Sequence, residues 1–122
     1  KVQKYLEENS LAERRKSLRV PIELNCTIDM DGEVFNAVIW DLSIGGARIS
    51  FESGGVPDSI MEGILCGLEF TTAWGRIQAD ATIMRVLRAP SSEIGVSFEE
   101  MKPAAKAILE KWLGSQNGPG LH

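Results

Sequence analysis

Apolar and polar residues alternate from Val20 onward, and this period of two governs most of the chain as far as residue 99. Ile22, Leu24, Cys26, Ile28 and Met30 share one parity and Glu23, Asn25, Thr27 and Asp29 the other, the signature of a half-buried strand. Asp31-Gly32, a favoured hairpin dipeptide, follows it. A second strand is expected over 33–40. A third, over 46–52, would place Ala47, Ile49 and Phe51 inside and Arg48, Ser50 and Glu52 outside. Ser53-Gly54-Gly55-Val56-Pro57-Asp58 reads as a loop, and strands recur over 62–71, 74–88 and 93–99. In the long middle strand the inward parity shifts from Ile77, Ala79, Ala81 and Ile83 to Met84 and Val86, which predicts a bulge near Met84.

At the two ends the pattern becomes helical. Val2, Tyr5 and Leu6 approach helical spacing, so residues 1–13 are expected to form a short helix or linker. Near the C-terminus, Ala105, Ile108, Leu109, Trp112 and Leu113 make one apolar stripe, with Pro103 suited to the first turn and Gly114 to the stop. Residues 114–122 are expected to be a disordered tail. Six short strands with regular turn signals and a closing helix point to an all-β fold with a flanking helix. The expected architecture is a six-stranded antiparallel β-barrel whose C-terminal α-helix covers an opening or an edge.

Length and composition narrow the function. At 122 residues the chain has the size of one domain with one core. It contains no run long enough to cross a bilayer and no signal-peptide pattern at its start, so a cytoplasmic setting and no direct membrane insertion are expected. It does not begin with Met, which is compatible with a piece of a longer protein. The net charge of −4 argues against a nucleic-acid polymer as partner, since broad phosphate binding needs a basic surface. Basic charge is concentrated instead: four of the thirteen Lys and Arg residues lie within 14–19, which suits a small anion. Cys26 and Cys66 alternate with apolar neighbours and are expected to point inward as small hydrophobes. There is no CxxC and the single histidine is His122, so neither a metal nor a cofactor is expected.

Two polar segments carry candidate chemistry. Arg14-Arg15-Lys16-Ser17-Leu18-Arg19 offers guanidiniums that can fork onto phosphate oxygens or the O6/N7 edge of guanine, or lie flat on a base. Asp41-Leu42-Ser43-Ile44-Gly45-Gly46 offers a carboxylate, a hydroxyl and a glycine pair that lets a ligand approach the backbone. Alternation as this segment leaves its strand would make Asp41 and Ser43 project together from the outer surface. Taken alone, the first segment also reads as a solvated charged stretch and the second as an Asx or Ser turn.

In combination they resemble the PilZ domain family. Arg15-Lys16-Ser17-Leu18-Arg19 matches its RxxxR motif, Asp41 to Gly46 its (D/N)xSxxG motif, and Glu93-Ile94-Gly95-Val96-Ser97-Phe98 its usual last strand, over roughly residues 14–113. The resemblance implies a six-stranded antiparallel barrel that binds cyclic di-GMP, a bacterial second messenger with two guanines and two phosphodiester charges. By analogy, Arg15 and Arg19 would hold phosphate and the guanine Hoogsteen edge, and Asp41 would accept from guanine N1–H and N2–H. Ser43, Gly45 and Gly46 would line the ring. In similar domains an Arg before RxxxR accompanies an intercalated ligand dimer, and Arg14 occupies that place, which implies two ligands per site. Ligand binding would draw the Arg segment onto the barrel and signal to a protein partner of unknown identity.

Three other readings compete. An enzyme would need a usable His, paired carboxylates or an activated nucleophile, none of which the sequence offers, so the chain is expected not to be an enzyme. A ligand-free interaction module in a motility or pilus assembly remains the main alternative, and the intact motifs argue against it. A barrel for single-stranded nucleic acid would want exposed aromatics on a basic groove, whereas Trp112 belongs to the helix stripe and Trp40 is a candidate for the core. A homodimer is compatible with the sequence.

Overall fold

Each alternating run forms a strand. The computed structural model describes residues 19–52 and 55–117. Its elements are β1 (Val20–Met30), β2 (Glu33–Leu42), β3 (Gly46–Ser50), β4 (Leu65–Thr72), β5 (Gly75–Leu87), β6 (Glu93–Met101) and α1 (Pro103–Asn117). The strands close an antiparallel barrel in the order β1-β2-β3-β6-β5-β4. The inward parity supplies the core: Ile28, Ile39, Ile49, Ile77, Ile83 and Ile94 are fully buried. Burying such a side chain contributes about 1.5–3 kcal/mol. The expected helix 1–13 and the residues Arg14 and Arg15 lie outside the described residues, as do 118–122.

The hairpins follow their local chemistry. Asp31 and Gly32 both take positive φ, 53° and 86°, the requirement of a two-residue turn that matches strand twist, and the Gly32 N–H donates to Asp29 Oδ1 at 3.0 Å. Between β4 and β5, Thr72 Oγ1 donates to the Gly75 carbonyl at 3.0 Å and accepts the Trp74 N–H at 3.1 Å. α1 starts at Pro103 as expected and lays Leu109, Trp112 and Leu113 against the barrel beside β5 and β1.

Several boundaries differ from the sequence reading. β2 runs two residues past Trp40, to Leu42. Trp40 is not in the core. It sits at a register shift between β2 and β3, is 41% exposed, and its Nε1–H donates to Ser50 Oγ. The bulge near Met84 is present between Ile83 and Arg85, yet Met84 is the extra residue and points outward, 60% exposed, because bulging turns the odd side chain out of the ladder. β4 begins at Leu65 rather than 62, since Gly63 has φ 89° and a turn intervenes. Gly114 does not stop α1. Helix continues to Asn117, with Ser115 Oγ donating to the Trp112 carbonyl at 2.8 Å, so residues 114–117 of the expected tail are helical.

Candidate functional site

Register assembles the site from three places in the chain. Pro21 of β1 stands opposite Asp41 of β2, so Arg19, just ahead of β1, reaches the end of the β2–β3 hairpin. On the other side of β2, Asp41 faces Arg48 of β3, across the shift at Trp40. Arg48 in turn faces Gly95 of β6, and Glu93 lies two residues earlier on that strand.

The result is a chain of charges. Arg19 Nη1 donates to Asp41 Oδ1 at 2.7 Å. Arg48 Nε lies 3.3 Å from the other oxygen, Oδ2, and 3.5 Å from Glu93 Oε1. The Asp41 side chain is only 13% exposed while those of Arg19 and Arg48 are more than half exposed, so a well-enclosed carboxylate is held between two cations with solvent access. These groups line a cleft of ≈ 700 Å³, with Met84 and Arg85 of the β5 bulge on its far wall and Gly45, Gly46 and Ser97 beside them. Small-molecule sites commonly occupy about 300–1,000 Å³.

Ser43 behaves differently from the expectation. It does not project outward with Asp41: it is 3% exposed, and its hydroxyl is used within the hairpin turn. Oγ accepts the N–H groups of Gly45 and Gly46, each at 3.2 Å, and donates to the Gly46 carbonyl at 3.3 Å, while the Ser43 N–H donates to that same carbonyl at 2.9 Å. Thr72 and Gly75 make a related turn at the β4–β5 hairpin. The hydroxyl therefore closes a turn, as the local alternative for this motif had it. Gly46 has its own structural reason: a Cβ there would lie 2.1 Å from the Val96 carbonyl oxygen, so only glycine lets β3 approach β6. The Gly45 carbonyl accepts the Phe98 N–H at 2.9 Å, which anchors the loop to the same strand.

Of the residues singled out from sequence, the structure brings Arg19, Asp41, Ser43, Gly45 and Gly46 to one cleft. Arg48, Arg85, Met84 and Glu93 were not singled out as site residues. Outward parity already placed Arg48 on the correct face, but its proximity to Asp41 depends on strand pairing.

A second, larger cleft of ≈ 1000 Å³ lies where the start of α1 meets the outer faces of β4, β5 and β6. Pairing sets Asp29 opposite Gly67, Gly67 opposite Asp80 and Asp80 opposite Glu100, which puts three carboxylates, from β1, β5 and β6, in one row. Glu69 joins them and is bound by Arg76 and Gln78. That excess of negative charge disfavours an anionic ligand, so size does not select this cleft. Among the described residues no group of three or more His, Cys, Asp or Glu could hold a metal ion, and no helix is long and apolar enough to cross a membrane.

The fold is a closed six-stranded antiparallel barrel with an exterior cleft, lined by Arg19, Asp41 and Arg48, beside its β2–β3 hairpin. The chain belongs to the PilZ domain family, whose profile matches residues 13–115. Similar solved structures include the PilZ domain of YcgR from Escherichia coli with c-di-GMP, at 19% identity and TM-score 0.72, covering 85% of this chain and 92% of that one. The inhibitor of motility MotI/DgrA from Bacillus subtilis also aligns at 19% identity and TM-score 0.69, over 85% of this chain but 52% of its own, so the present chain spans about half of that protein. The PilZ domain of CeSA from a cellulose synthesizing bacterium aligns at 17% identity and TM-score 0.64, over 82% and 99%. At these identities the likeness concerns the fold. A comparison with curated proteins finds no match.

Proposed function

We propose that the chain is a receptor domain for cyclic di-GMP, bound in the cleft at the β2–β3 hairpin. The observation that carries this reading is the meeting of Arg19 and Asp41, at 2.7 Å, from two motifs that lie 22 residues apart. Family membership and a structural neighbour bearing c-di-GMP support it. The chemistry is complementary: a guanidinium forks onto a phosphodiester or the guanine O6/N7 edge, and a carboxylate accepts the N1–H and N2–H of guanine. Arg19 and Asp41 are paired with each other, so binding would exchange that ion pair for two charge-assisted contacts. Arg85, exposed on the cleft wall and in no ion pair among the described residues, adds a cation for the second phosphodiester.

Arg15 begins the motif that Arg19 ends and Arg14 directly precedes it, and their joining the ligand would draw the leader of the domain onto the barrel. A second ligand molecule stacked on the first would engage Arg14. Displacement of whatever precedes the barrel is then the signal read by a protein partner. Binding and release of an unmodified ligand require no catalysis, and we read the domain as non-enzymatic and cytoplasmic.

Isothermal titration with cyclic di-GMP tests this directly. Binding with two ligands per protein is expected, and Arg19→Ala or Asp41→Ala should each weaken it by about ten- to hundredfold, the loss typical of one charge-assisted hydrogen bond. In the same titration followed by nuclear magnetic resonance, signals from residues 10–20 should shift. Unchanged affinity in both variants would remove the site, and unchanged signals would remove the conformational response.

A further inference from the structure

We infer that Arg48 is a positioning residue of this site: it holds the Asp41 carboxylate in the guanine-accepting orientation once Arg19 has transferred to the ligand, and Glu93 holds Arg48. The inference rests on the cyclic di-GMP reading of the cleft.

Asp41 has one cation on each oxygen, Arg19 on Oδ1 and Arg48 on Oδ2. The two cations come from opposite sides, Arg19 from ahead of β1 and Arg48 from β3. They differ in what else holds them. Among the described residues Arg19 has Asp41 alone as an ion-pair partner, whereas Arg48 also has Glu93 at 3.5 Å. A ligand phosphate therefore competes for Arg19 more readily than for Arg48. Loss of Arg19 would leave a carboxylate that is only 13% exposed without a partner, which is costly, unless another cation stays. Arg48 is that cation.

Orientation follows from the same geometry. Accepting N1–H and N2–H together requires both oxygens of Asp41 in the plane of the base, and a carboxylate is free to turn about its terminal torsion unless something fixes it. Asp41 Oδ2 and Glu93 Oε1 both approach the same Arg48 atom, Nε, at 3.3 and 3.5 Å, so the guanidinium is held between the two carboxylates, and β3–β6 pairing at Arg48 and Gly95 keeps its backbone in place. It acts through Asp41 and not as a second phosphate ligand.

The two roles separate with cyclic di-IMP, in which hypoxanthine replaces guanine and lacks the N2 amino group. Titrations of the parent chain, Arg48→Gln and Glu93→Gln with both dinucleotides provide the test. A positioning role predicts that R48Q weakens cyclic di-GMP by about tenfold, as for loss of one cation beside an enclosed carboxylate, with a much smaller effect on cyclic di-IMP, so the preference for guanine falls. E93Q should move the same ratio in the same direction by a smaller factor. It also keeps the test available if R48Q fails to fold. Equal weakening of both dinucleotides by R48Q would make Arg48 a phosphate contact and overturn the inference, as would unchanged binding of both. Failure of the parent chain to bind either dinucleotide would overturn the receptor reading itself, a result distinguishable from loss of the guanine preference.

Discussion

Within Asp41-Leu42-Ser43-Ile44-Gly45-Gly46, Asp41 alone presents a charged atom to the cleft, and the other polar positions build the turn that holds it there. Leu42 is fully buried, Ser43 spends its hydroxyl on three hydrogen bonds, and Gly46 makes room for the Val96 carbonyl. Substitutions should therefore divide into two kinds. Ser43→Ala leaves the Gly45 and Gly46 N–H groups without their acceptor, a loss of about 1–3 kcal/mol of stability for such unpaired groups. Gly46→Ala forces β3 away from β6 and should cost a comparable or larger amount, as overpacking does at about 1–3 kcal/mol. Urea unfolding should show both losses, while Asp41→Ala retains the parent midpoint more closely and loses ligand affinity instead. A parent-like midpoint for G46A would contradict the close approach of the two strands.

At the scale of elements, bulges determine where the cleft opens. The shift at Trp40 turns Asp41 toward Arg48, and the shift at Met84 turns Met84 and Arg85 to the opposite wall. The loop after β3 is secured by Arg88, at the end of β5. Its Nη1 donates to the Val56 carbonyl at 3.0 Å and to that of Pro57 at 3.4 Å, and its Nη2 to the Ile60 carbonyl at 2.7 Å. Val56 and Ile60 are core residues, so this fork fixes a loop that contributes to the barrel interior. Arg88→Ala should lower stability by about 1–3 kcal/mol and speed amide exchange across 55–64. Arg88→Lys should rescue little, because one ammonium lacks the planar fork that reaches both groups of carbonyls. Full rescue by lysine would show that charge alone secures the loop. The Met84 bulge was legible in sequence because parity changes there. The Trp40 bulge was not: an aromatic residue next to Ile39 at the end of an apolar run looks like core, and only pairing with β3 shows that it is the odd residue.

Across the whole molecule, parity indicated the inward face of each strand except at the Trp40 and Met84 bulges and at the Ser43 turn, so the barrel, the inward Cys26 and Cys66 and the α1 stripe were legible. Pairing partners were not, because alternation says nothing about which strand lies alongside. That is why Arg19 and Asp41 were found through their motifs whereas Arg48 and Glu93 waited for the register. The single interior has a consequence for pH dependence. Burial pushes the Cys26 thiol from 9.0 up to about 12, with the Cys66 thiol adding to it, and burial together with the Asp80 carboxylate pushes Cys66 up to about 11. Well below pH 9 both thiols are protonated in folded and unfolded chains alike, and the raised values change nothing. As pH rises from 9 toward 11–12, the unfolded chain loses thiol protons that the barrel retains, so stability falls. The slope is bounded by about 1.4 kcal/mol per pH unit for each thiol. Urea unfolding from pH 8 to 10.5 should show this decline in the parent. A Cys26→Ala, Cys66→Ala double variant should start lower, from lost packing, and fall less steeply. Parallel slopes would mean that the thiols meet solvent in the folded chain, and a closed barrel with both of them inside could not be the structure in solution.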